Sequence, residues 1–594
     1  MNLDLLLQTE VNEAVFSLFG NRPENLSIEP TNQEFEGSHT VICFSLAKIS
    51  KKNPQQTAQL LGEYLVANSK LVLKFNVVKG FLNLVLSNEI WLSVFNSITQ
   101  EKNFGILPAC NKEIIIEFSS PNTNKPLHLG HLRNNFLGYS VAQLFKAMGY
   151  RVHNVQIIND RGIHICKSMI AWKLFGNGET PQTSNIKGDH LVGKYYVLFD
   201  KKYKEEVNHL VFQGMDKELA EKESPIMKQA VDLLLRWESK DAEVLKLWNI
   251  MNQWVYDGFE VSYKRMGVDF EKLYFESDTY LLGRDEVLKG LKTGVFYQKT
   301  DGSVWVDLTN EGLDHKLLLR SDGTSVYMTQ DIGTAILRFR DFPDIEGQVY
   351  TVGNEQEYHF KVLFLILKKL GYSWAEKCHH LSYGMVDLPE GKMKSREGTV
   401  VDADDLMQTI VEEALVQTNE LGKSDNVEPE GLEKLAEVIG LGALKFFLLK
   451  VDPKKRMLFN PTESVRLQGQ TGPFIQYTYA RICALIRKAK ERNIEFSNIT
   501  TITNIETEAE LEVIILLYRF PLVIKEATYG YSPSLIANYA YNLAKAYNKF
   551  YQTIPVFNEK KADLVAFRLA LSNSTSMVLK NSLALLGIQS PEQM

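Results

Sequence analysis

Residues 114–131 read IIIEFSSPNTNKPLHLGH, an apolar run that leads through a polar loop into the tetrapeptide His128-Leu-Gly-His131. The run has the length of a buried strand. Beyond the tetrapeptide the apolar residues keep helical spacing, at Leu132, Phe136, Leu144, Phe145 and Met148. A strand, a loop and a helix in this order predict a parallel α/β sheet with crossover helices.

The tetrapeptide stands at the amino end of this expected helix, where free N–H groups and the helix dipole favour anions. His128 and His131 are three residues apart on one helix face, so both imidazoles can donate to a phosphate. Gly130 removes a side chain where a base or ribose would approach the backbone. The alternatives are an accidental pair or two zinc ligands, but the usual zinc helix reads His-Glu-x-x-His. The pattern favours nucleotide binding.

A second, basic segment at residues 391–401 reads GKMKSREGTVV and follows the last expected parallel strand. Ligands of open parallel sheets bind at the carboxyl ends of the strands. Lysines at that place can stabilise the charge that develops on a triphosphate in the transition state. A solvated surface turn is the ordinary alternative for such a charge run, but the two motifs in this order strengthen the nucleotide interpretation.

The pattern along the chain predicts four regions. They are an α+β domain at 1–108, a parallel-sheet domain at 109–403, a helical connector at 404–455 and a helical bundle at 456–594. A charged helical stretch at about 174–254 interrupts the sheet domain as an insertion. Strands are expected at 40–44, 71–78, 80–86, 114–118, 151–158, 348–352 and 380–386. In the last region, an apolar stripe indicates a bundle core rather than a ligand groove, at Leu535, Tyr539, Leu543, Tyr547 and Phe550.

The composition is that of an ordinary globular protein, with 45% apolar residues, 23% charged residues and a net charge of −6. No global basic field announces nucleic acid, although a local basic stripe is enough to hold a phosphate backbone. The five cysteines are far apart, so neither a structural zinc site nor a disulfide framework is expected. Because a signal peptide and runs of about 18 apolar residues are lacking, a cytoplasmic location is expected.

Two motifs, His128-Leu-Gly-His131 and Lys392-Met-Lys-Ser-Arg396, resemble the signature motifs of class I aminoacyl-tRNA synthetases. Further segments resemble the arginyl members of that class: EFSSPN at 117–122, YMTQDIG at 327–333, QEYHF at 356–360 and GQTGPFIQYTYAR at 469–481. The resemblance covers nearly the whole chain and is weakest at 1–108 and 174–254. It implies a Rossmann-type catalytic domain that is split by an insertion facing the acceptor end of the tRNA.

The resemblance implies ligation of arginine to tRNA-Arg in two steps. ATP with Mg²⁺ first gives arginyl-adenylate and pyrophosphate, and the arginyl group then passes to the terminal ribose of the tRNA. Neither step needs a covalent enzyme intermediate, so catalysis is positioning and charge stabilisation. The resemblance gives catalytic roles to His128, His131, Lys125, Lys392 and Lys394, and ATP contacts to His128, Gly130, His131, Lys392, Met393 and Ser395.

One position departs from the family pattern Lys-Met-Ser-Lys-Ser, because Lys394 and Ser395 occupy its third and fourth places. The usual second lysine is therefore displaced or missing. In this family a lysine just before the first motif is thought to compensate, and Lys125 stands at that place. The sequence leaves open which of Lys125, Lys392 and Lys394 touches which phosphate.

A pocket for arginine should offer carboxylates in the plane of the guanidinium, which is always charged and carries five donors. By resemblance, Tyr327 and Asp331 hold the guanidinium, while Glu117, Asn122 and Gln356 hold the rest of the amino acid. Tyr327 and Asp331 are four residues apart and share one face if a helix starts there.

These residues also have ordinary structural interpretations. Asp331 suits the dipole at the amino end of a helix, Tyr327 the packing of a sheet, and Glu117 a salt bridge at a strand end. His359 suits the core and the site equally well, and Asp160 is expected to shape a turn.

The resemblance also implies tRNA contacts outside the catalytic domain. Residues 456–594 correspond to an anticodon-binding domain, with Gln476, Tyr477 and Arg481 as candidate contacts. The amino-terminal region resembles a module that contacts the tRNA elbow, with Phe81 and Asn83 as candidates. Without the resemblance, a solvated basic face would be the preferred interpretation of the basic helix after residue 481.

Two other functions stay open on the sequence. Another class I synthetase is the first, although a glutamate pocket should display arginines and a cysteine pocket usually recruits zinc-binding cysteines. A non-catalytic RNA-binding protein on a synthetase scaffold is the second, although such proteins often lose a signature residue, and His128, His131 and Lys392 are present. We expect a monomer without a membrane partner, and we expect tRNA-Arg to be required already for adenylate formation.

Overall fold

The computed structural model describes residues 3–32, 34–387, 401–420, 429–496 and 502–594. Its first region contains α1 (Leu3–Phe19), β1 (Ile28–Pro30), β2 (His39–Ile42), α2 (Ala47–Ser50), α3 (Pro54–Asn68), β3 (Val72–Val78), β4 (Phe81–Leu86) and α4 (Asn88–Gln100). The four strands pair antiparallel in the order β1-β2-β4-β3. Apolar residues of α1 and α3, such as Leu7 and Leu61, are fully buried. The three strands expected in this region are observed.

The central sheet explains where a ligand can bind. It consists of β5 (Glu113–Glu117), β6 (Arg151–Ile158), β7 (Lys272–Phe275), β11 (Ile345–Gly353) and β12 (Cys378–Tyr383), all parallel. Their spatial order is β12-β11-β5-β6-β7, so the chain moves from β5 to one side and later returns to the other. A ligand crevice is expected at the carboxyl ends of β5 and β11, where the strand order reverses.

The helices between these strands are α5 (Leu129–Ala147), α6 (Ile163–Phe175), α12 (Glu276–Thr279), α13 (Leu282–Lys292), α14 (Tyr327–Asp341) and α15 (Glu357–Lys369). Three short strands, β8 (Tyr297–Gln298), β9 (Val304–Val306) and β10 (Lys316–Leu319), form a small antiparallel sheet that the sequence did not predict. Single 3₁₀ turns lie at Thr309–Glu311, Asn354–Gln356 and Ser373–Lys377.

An all-helical insertion lies between α6 and β7. It contains α7 (Pro181–Ser184), α8 (Gly188–Phe212), α9 (Lys217–Glu223), α10 (Pro225–Glu238) and α11 (Ala242–Met266). The last helix continues past residue 254, where the charged pattern in the sequence fades, because its buried residues Val255, Phe259 and Tyr263 keep helical spacing up to Met266.

The carboxyl-terminal regions are helical, with α16 (Ala403–Glu420), α17 (Pro429–Leu449), α18 (Pro461–Ser464), α19 (Gly472–Glu491), α20 (Glu508–Tyr529), α21 (Pro533–Thr553) and α22 (Ala562–Leu585). A two-residue strand, β14 (Met457–Leu458), pairs in parallel with β13 (Val386–Asp387). The predicted stripe on α21 is largely buried, with Tyr539, Leu543, Tyr547 and Phe550 in the core.

Helix α5 joins the sheet to the carboxyl-terminal bundle. Ser140 Oγ donates to the Leu585 carbonyl at 2.7 Å, and Thr528 Oγ1 lies 3.3 Å from the Leu144 carbonyl. Most of α5 is therefore buried between the two regions. The predicted fold class, a parallel-sheet α/β domain with an insertion, an amino-terminal α+β region and a helical carboxyl-terminal region, is confirmed. Among the described residues, we find no helix with both the length and the apolar character needed to cross a membrane.

Candidate active site

A cleft of about 580 Å³ opens at the carboxyl ends of β5, β11 and β12. Residues 128–131 line one side, residues 351–353 and Tyr383 line the other, and Asp387 and Val401 border it. This volume lies within the range of small-molecule sites, about 300–1,000 Å³. Lys392, Met393, Lys394 and Ser395 lie in 388–400, outside the described residues.

The two histidines of the tetrapeptide cap their own helix. His128 is the N-cap of α5, and its Nδ1 accepts from the Gly130 N–H at 3.1 Å. His131 Nδ1 accepts from the His128 N–H, also at 3.1 Å. Because a neutral imidazole carries one hydrogen, these two bonds place the hydrogen on Nε2 of both rings. Each ring therefore keeps one N–H donor, and both rings line the cleft.

Both histidines are neutral at physiological pH. Burial lowers the pKa of His128 to about 4, and the charge of Lys125 lowers it further. The same causes, with His128 added, hold the pKa of His131 well below its usual range. The ring centroids are 3.9 Å apart, and the planes are tilted by 39°; this closeness disfavours two positive charges. The effect of Lys125 on both places its charge next to the pair, as the resemblance implies.

The structure gives a local reason for glycine at position 130 that the sequence did not reveal. A Cβ built at this position would lie 3.0 Å from Cε1 of the His128 ring. Glycine therefore makes room for the imidazole that caps the helix, in addition to opening the backbone to the cleft.

Asn134 is a buried connector that sequence reasoning missed. Its Oδ1 accepts from the Ser119 N–H at 2.6 Å, and its Nδ2 donates to the Thr351 carbonyl at 2.7 Å. The same amide lies 3.1 Å from the Tyr383 hydroxyl. One side chain of α5 thus joins the loop after β5 to the carboxyl ends of strands β11 and β12. The sequence carries no clear signal for this role, because Asn134 stands next to Arg133 and Asn135 in a helix of mixed polarity.

A second group of side chains contains three carboxylates that influence one another, those of Glu117, Glu276 and Asp331, and we call it the acidic group. Helix α14 begins at Tyr327, so Tyr327 and Asp331 share the expected face. The Tyr327 side chain is open to solvent, with 77% of the residue exposed. His359 Nε2 donates to Asp331 Oδ2 at 2.5 Å, so this histidine is paired with a candidate site residue and is not part of the apolar core. Asn122 and Gln356 are both exposed at the same carboxyl edge of the sheet.

Glu117 is buried at the end of β5 and forms an ion pair with Arg338 of α14. Burial raises the pKa of Glu117, Arg338 opposes that shift, and the nearby charge of Asp331 adds to it. The pair is consistent with the salt bridge considered from the sequence. Arg338 itself was missed, because an arginine within a helix reads as a surface residue until its partner in space is known.

Glu276 is a further acidic residue that sequence reasoning missed. It follows β7 directly and is half-buried. Burial raises its pKa to about 6, with Arg161 opposing the shift and the charges of Asp160 and Asp331 adding to it. Asp160 accepts from the Ser277 N–H at 2.9 Å and thereby fixes the turn that carries Glu276. An acidic group of this kind suits a cationic ligand.

The candidate tRNA contacts divide into buried and accessible side chains. Gln476 is fully buried and donates to the carbonyls of Val438 and Gln589. Asn83 is 2% exposed and bonded to Thr40 and Asn76. The structure therefore does not present these two side chains to an external ligand, since both satisfy internal polar groups.

The other candidates reach the surface. Phe81 is partly exposed and packs edge-on against Phe44 at 5.3 Å between ring centroids. The Arg481 guanidinium lies 4.9 Å from the Tyr477 ring centroid and 5.4 Å from that of Tyr551. Such planar surfaces suit the stacking of unpaired bases.

One group of described residues brings metal-binding atoms together. Atoms of Asp189, His190 and Asp404 lie within 4.8 Å of one another. However, the Lys187 ammonium contacts both carboxylates of this group. The cluster therefore already contains its cation and does not fit a metal ion.

Three family descriptions match the chain. Residues 93–460 match the catalytic domain of "tRNA synthetases class I (R)", residues 475–594 match a "DALR anticodon binding domain", and residues 5–86 match an "Arginyl tRNA synthetase N terminal domain". The chain is 52% identical to the arginine–tRNA ligases of Flavobacterium psychrophilum and Bacteroides thetaiotaomicron, with 100% of each chain covered.

Solved structures agree with these matches. The fold superimposes on Thermus thermophilus arginyl-tRNA synthetase with a TM-score of 0.80 at 25% identity, covering 100% of both chains. The arginyl-tRNA synthetase of Plasmodium falciparum gives a TM-score of 0.76 at 20% identity, covering 99% of both chains, and shows the same fold.

Proposed function

The chain belongs to the arginyl-tRNA synthetase family, within class I of the aminoacyl-tRNA synthetases, and from this premise we propose that it ligates arginine to tRNA-Arg at the expense of ATP. The observation that carries this proposal is the placement of two Nε2–H donors and an acidic group on the same edge of one parallel sheet. The first feature suits a triphosphate, and the second suits a guanidinium.

In the first step, the arginine carboxylate attacks the α-phosphate of ATP, and pyrophosphate leaves. His128 and His131 donate from Nε2 to phosphate oxygens as negative charge shifts toward the leaving group. Because their pKa values are lowered, both remain neutral donors and neither needs to transfer a proton. Their Nδ1 atoms are held by backbone N–H groups, so the donors are fixed before ATP arrives.

Lys125 supplies positive charge beside these donors and compensates for the displaced lysine of the second motif. ATP enters as its magnesium complex, so the metal is part of the substrate. Lys392 and Lys394, which stand between Asp387 and Val401 in the sequence, supply further positive charge to the triphosphate.

Arginine is selected by charge. Arg338 neutralises Glu117 from inside the protein, and Asp331 and Glu276 then leave a net negative field for the guanidinium. A glutamate side chain would meet carboxylates there instead of complementary donors, and the neutral amide of glutamine would lack the charge attraction that a guanidinium gains. Tyr327 covers the guanidinium from α14, while Asn122 and Gln356 bind the amino end of the substrate. Asp331 contributes a charge-assisted hydrogen bond of about 1.5–3 kcal/mol.

The second step moves the arginyl group to the terminal ribose of tRNA-Arg, whose anticodon contacts residues 475–594 through Tyr477 and Arg481. Helix α5 carries the phosphate donors at one end and packs against the carboxyl-terminal bundle through Ser140 and Leu144. Binding of tRNA to the bundle is therefore able to influence the donors directly. We expect the enzyme to work as a monomer in the cytoplasm.

Aminoacylation with labelled arginine tests the proposal. Purified protein should charge tRNA-Arg in the presence of ATP and Mg²⁺, and a tRNA for another amino acid should stay uncharged. A non-catalytic RNA-binding protein would bind tRNA-Arg without charging it, and a different class I synthetase would charge another tRNA with another amino acid. Either result would contradict the proposal.

A further inference from the structure

A half-buried charge cluster joins the helical insertion to the residues that follow the second motif. Lys187, just before α8, contacts Asp404 at the start of α16 and donates to Ser262 Oγ of α11 at 2.6 Å. His190 of α8 donates from Nε2 to Asp404 Oδ2 at 3.1 Å and lies 3.4 Å from Asp402. Ser262 donates to the second oxygen of Asp404 at 2.9 Å. Three segments that are distant in sequence therefore meet at one carboxylate.

The same residues are tied to the histidine loop by the backbone. The Leu129 N–H donates to the Val401 carbonyl at 3.1 Å, and the Ala403 N–H donates to the Leu127 carbonyl at 2.9 Å. His128 and Asp402 face each other across this pair. The position of residues 401–403 therefore directly affects the backbone around His128.

Helix α8 also touches the loop before the histidines. A Cβ on Gly193 would lie 2.8 Å from Cδ of Pro126, so the absence of a side chain allows the helix to pack on this proline. The Cα atom of Lys125 lies 3.7 Å from the same Cβ position. The insertion thus contacts the Lys125–Pro126 end of this segment directly, and it reaches the His128 end through Asp404 and residues 401–403.

We propose that Lys187, His190 and Asp404 are positioning residues for adenylate formation, which hold residues 401–403 against the His128 loop. This inference rests on the proposed function. The three side chains do not reach the cleft, and they act through the two backbone hydrogen bonds of Leu129 and Ala403. The insertion thereby stabilises the position of His128 and His131, which donate hydrogen bonds to phosphate, in addition to any contact with tRNA.

The charge of His190 makes the support sensitive to pH. Burial opposes its charged form, but the hydrogen bond to Asp404 and the charges of Asp189 and Asp402 together raise its pKa, with Lys187 opposing. His190 is therefore protonated below this raised pKa and loses its charge as pH rises through it. At low pH, Lys187 and protonated His190 face the carboxylates of Asp189, Asp402 and Asp404. At high pH, Lys187 faces them without a second positive charge.

The test compares His190→Gln with the wild-type chain, and His209→Gln serves as the matched control on the exposed surface of the same helix. ATP–pyrophosphate exchange with arginine and tRNA-Arg is measured from pH 6 to 9. The wild type and the control should lose rate on the alkaline side, while His190→Gln should show no such limb. At pH 6 the variant should be about three- to ten-fold slower, the size expected for one partly exposed ionic hydrogen bond. The KM of His190→Gln for arginine should stay unchanged, because the carboxylates of the proposed arginine pocket, Glu117, Asp331 and Glu276, are not part of this cluster.

Hydrogen exchange of the Leu129 and Ala403 amides, measured without any substrate, tests the two backbone hydrogen bonds directly. In His190→Gln the amides of Leu129 and Ala403 should exchange with solvent faster than in the wild type and the control, because their hydrogen bonds open more often. Unchanged protection of these amides, or a pH profile of unchanged shape, would overturn the positioning role. Absence of arginine-dependent exchange in the wild type would instead contradict the proposed function, while the amide measurement would still judge the support itself.

Discussion

Replacing Asp331 with asparagine removes one negative charge from the proposed arginine pocket and keeps the shape of the side chain. Asp331 lies one helical turn after Tyr327 on α14, and its Oδ2 accepts from His359 at 2.5 Å. An asparagine amide can still bond to His359, so the local packing should survive. The change therefore isolates the electrostatic contribution to the binding of the guanidinium.

The expected magnitude follows from the exposure of this side chain. A charge-assisted hydrogen bond contributes about 1.5–3 kcal/mol, which is a factor of about 10 to 150 in Kd. Solvent screens part of this, because 39% of the Asp331 side chain is exposed. We therefore expect the Kd for arginine to rise by about 10- to 30-fold, at the lower end of that range.

Calorimetric titration with arginine and with citrulline provides the assay. Citrulline is neutral at the same end, so its affinity should change much less than that of arginine. Asp257→Asn, an exposed carboxylate on α11 that accepts from Gln253, is the matched control and should leave both affinities unchanged. Parallel weakening of arginine and citrulline in Asp331→Asn would refute the charge-selection argument and make Asp331 a structural residue.

Three further changes test other parts of the site. His128→Ala and His131→Ala should each slow adenylate formation by about 10²–10³-fold in pyrophosphate exchange, the usual cost of one transition-state donor, with little change in arginine affinity. Lys125→Ala should impair exchange far more than Ser395→Ala, and equal mild effects would show that Lys125 does not compensate. Arginine affinity, followed by titration from pH 5 to 8, should fall as pH drops through about 6, because Glu276 is then protonated. In Glu276→Gln that pH dependence should be absent, and its persistence would contradict the assignment.

The sequence predicted four strands of the sheet, β5, β6, β11 and β12, of which β5 is an apolar run and the other three mix apolar with polar residues. It missed β7 and the small sheet of β8, β9 and β10, whose strands have two to four residues each and carry little pattern. The motif histidines were identified from their spacing and from the family resemblance. The structure adds that they cap their own helix, and their role in phosphate binding stays a prediction.

Contacts between distant residues were beyond the reach of the sequence. Arg338 and Glu117 are 221 positions apart, and His190 and Asp404 are 214 positions apart, so no local pattern connects either pair. Burial was equally hidden for Asn83 and Gln476, since a polar side chain in a strand or helix reads as exposed until its internal partners are known.

Pyrophosphate exchange with each of the twenty amino acids, with and without tRNA-Arg, tests the central claim most directly. It reports adenylate formation and amino acid selection in one experiment. We predict that arginine is the one amino acid of the twenty that supports exchange. This exchange should be near background in the absence of tRNA and strong once tRNA-Arg is added. Strong arginine exchange without tRNA would refute only the coupling between tRNA binding and the first step. Exchange with another amino acid in place of arginine, or none with arginine in the presence of tRNA-Arg, would contradict the assignment of this protein as an arginine–tRNA ligase.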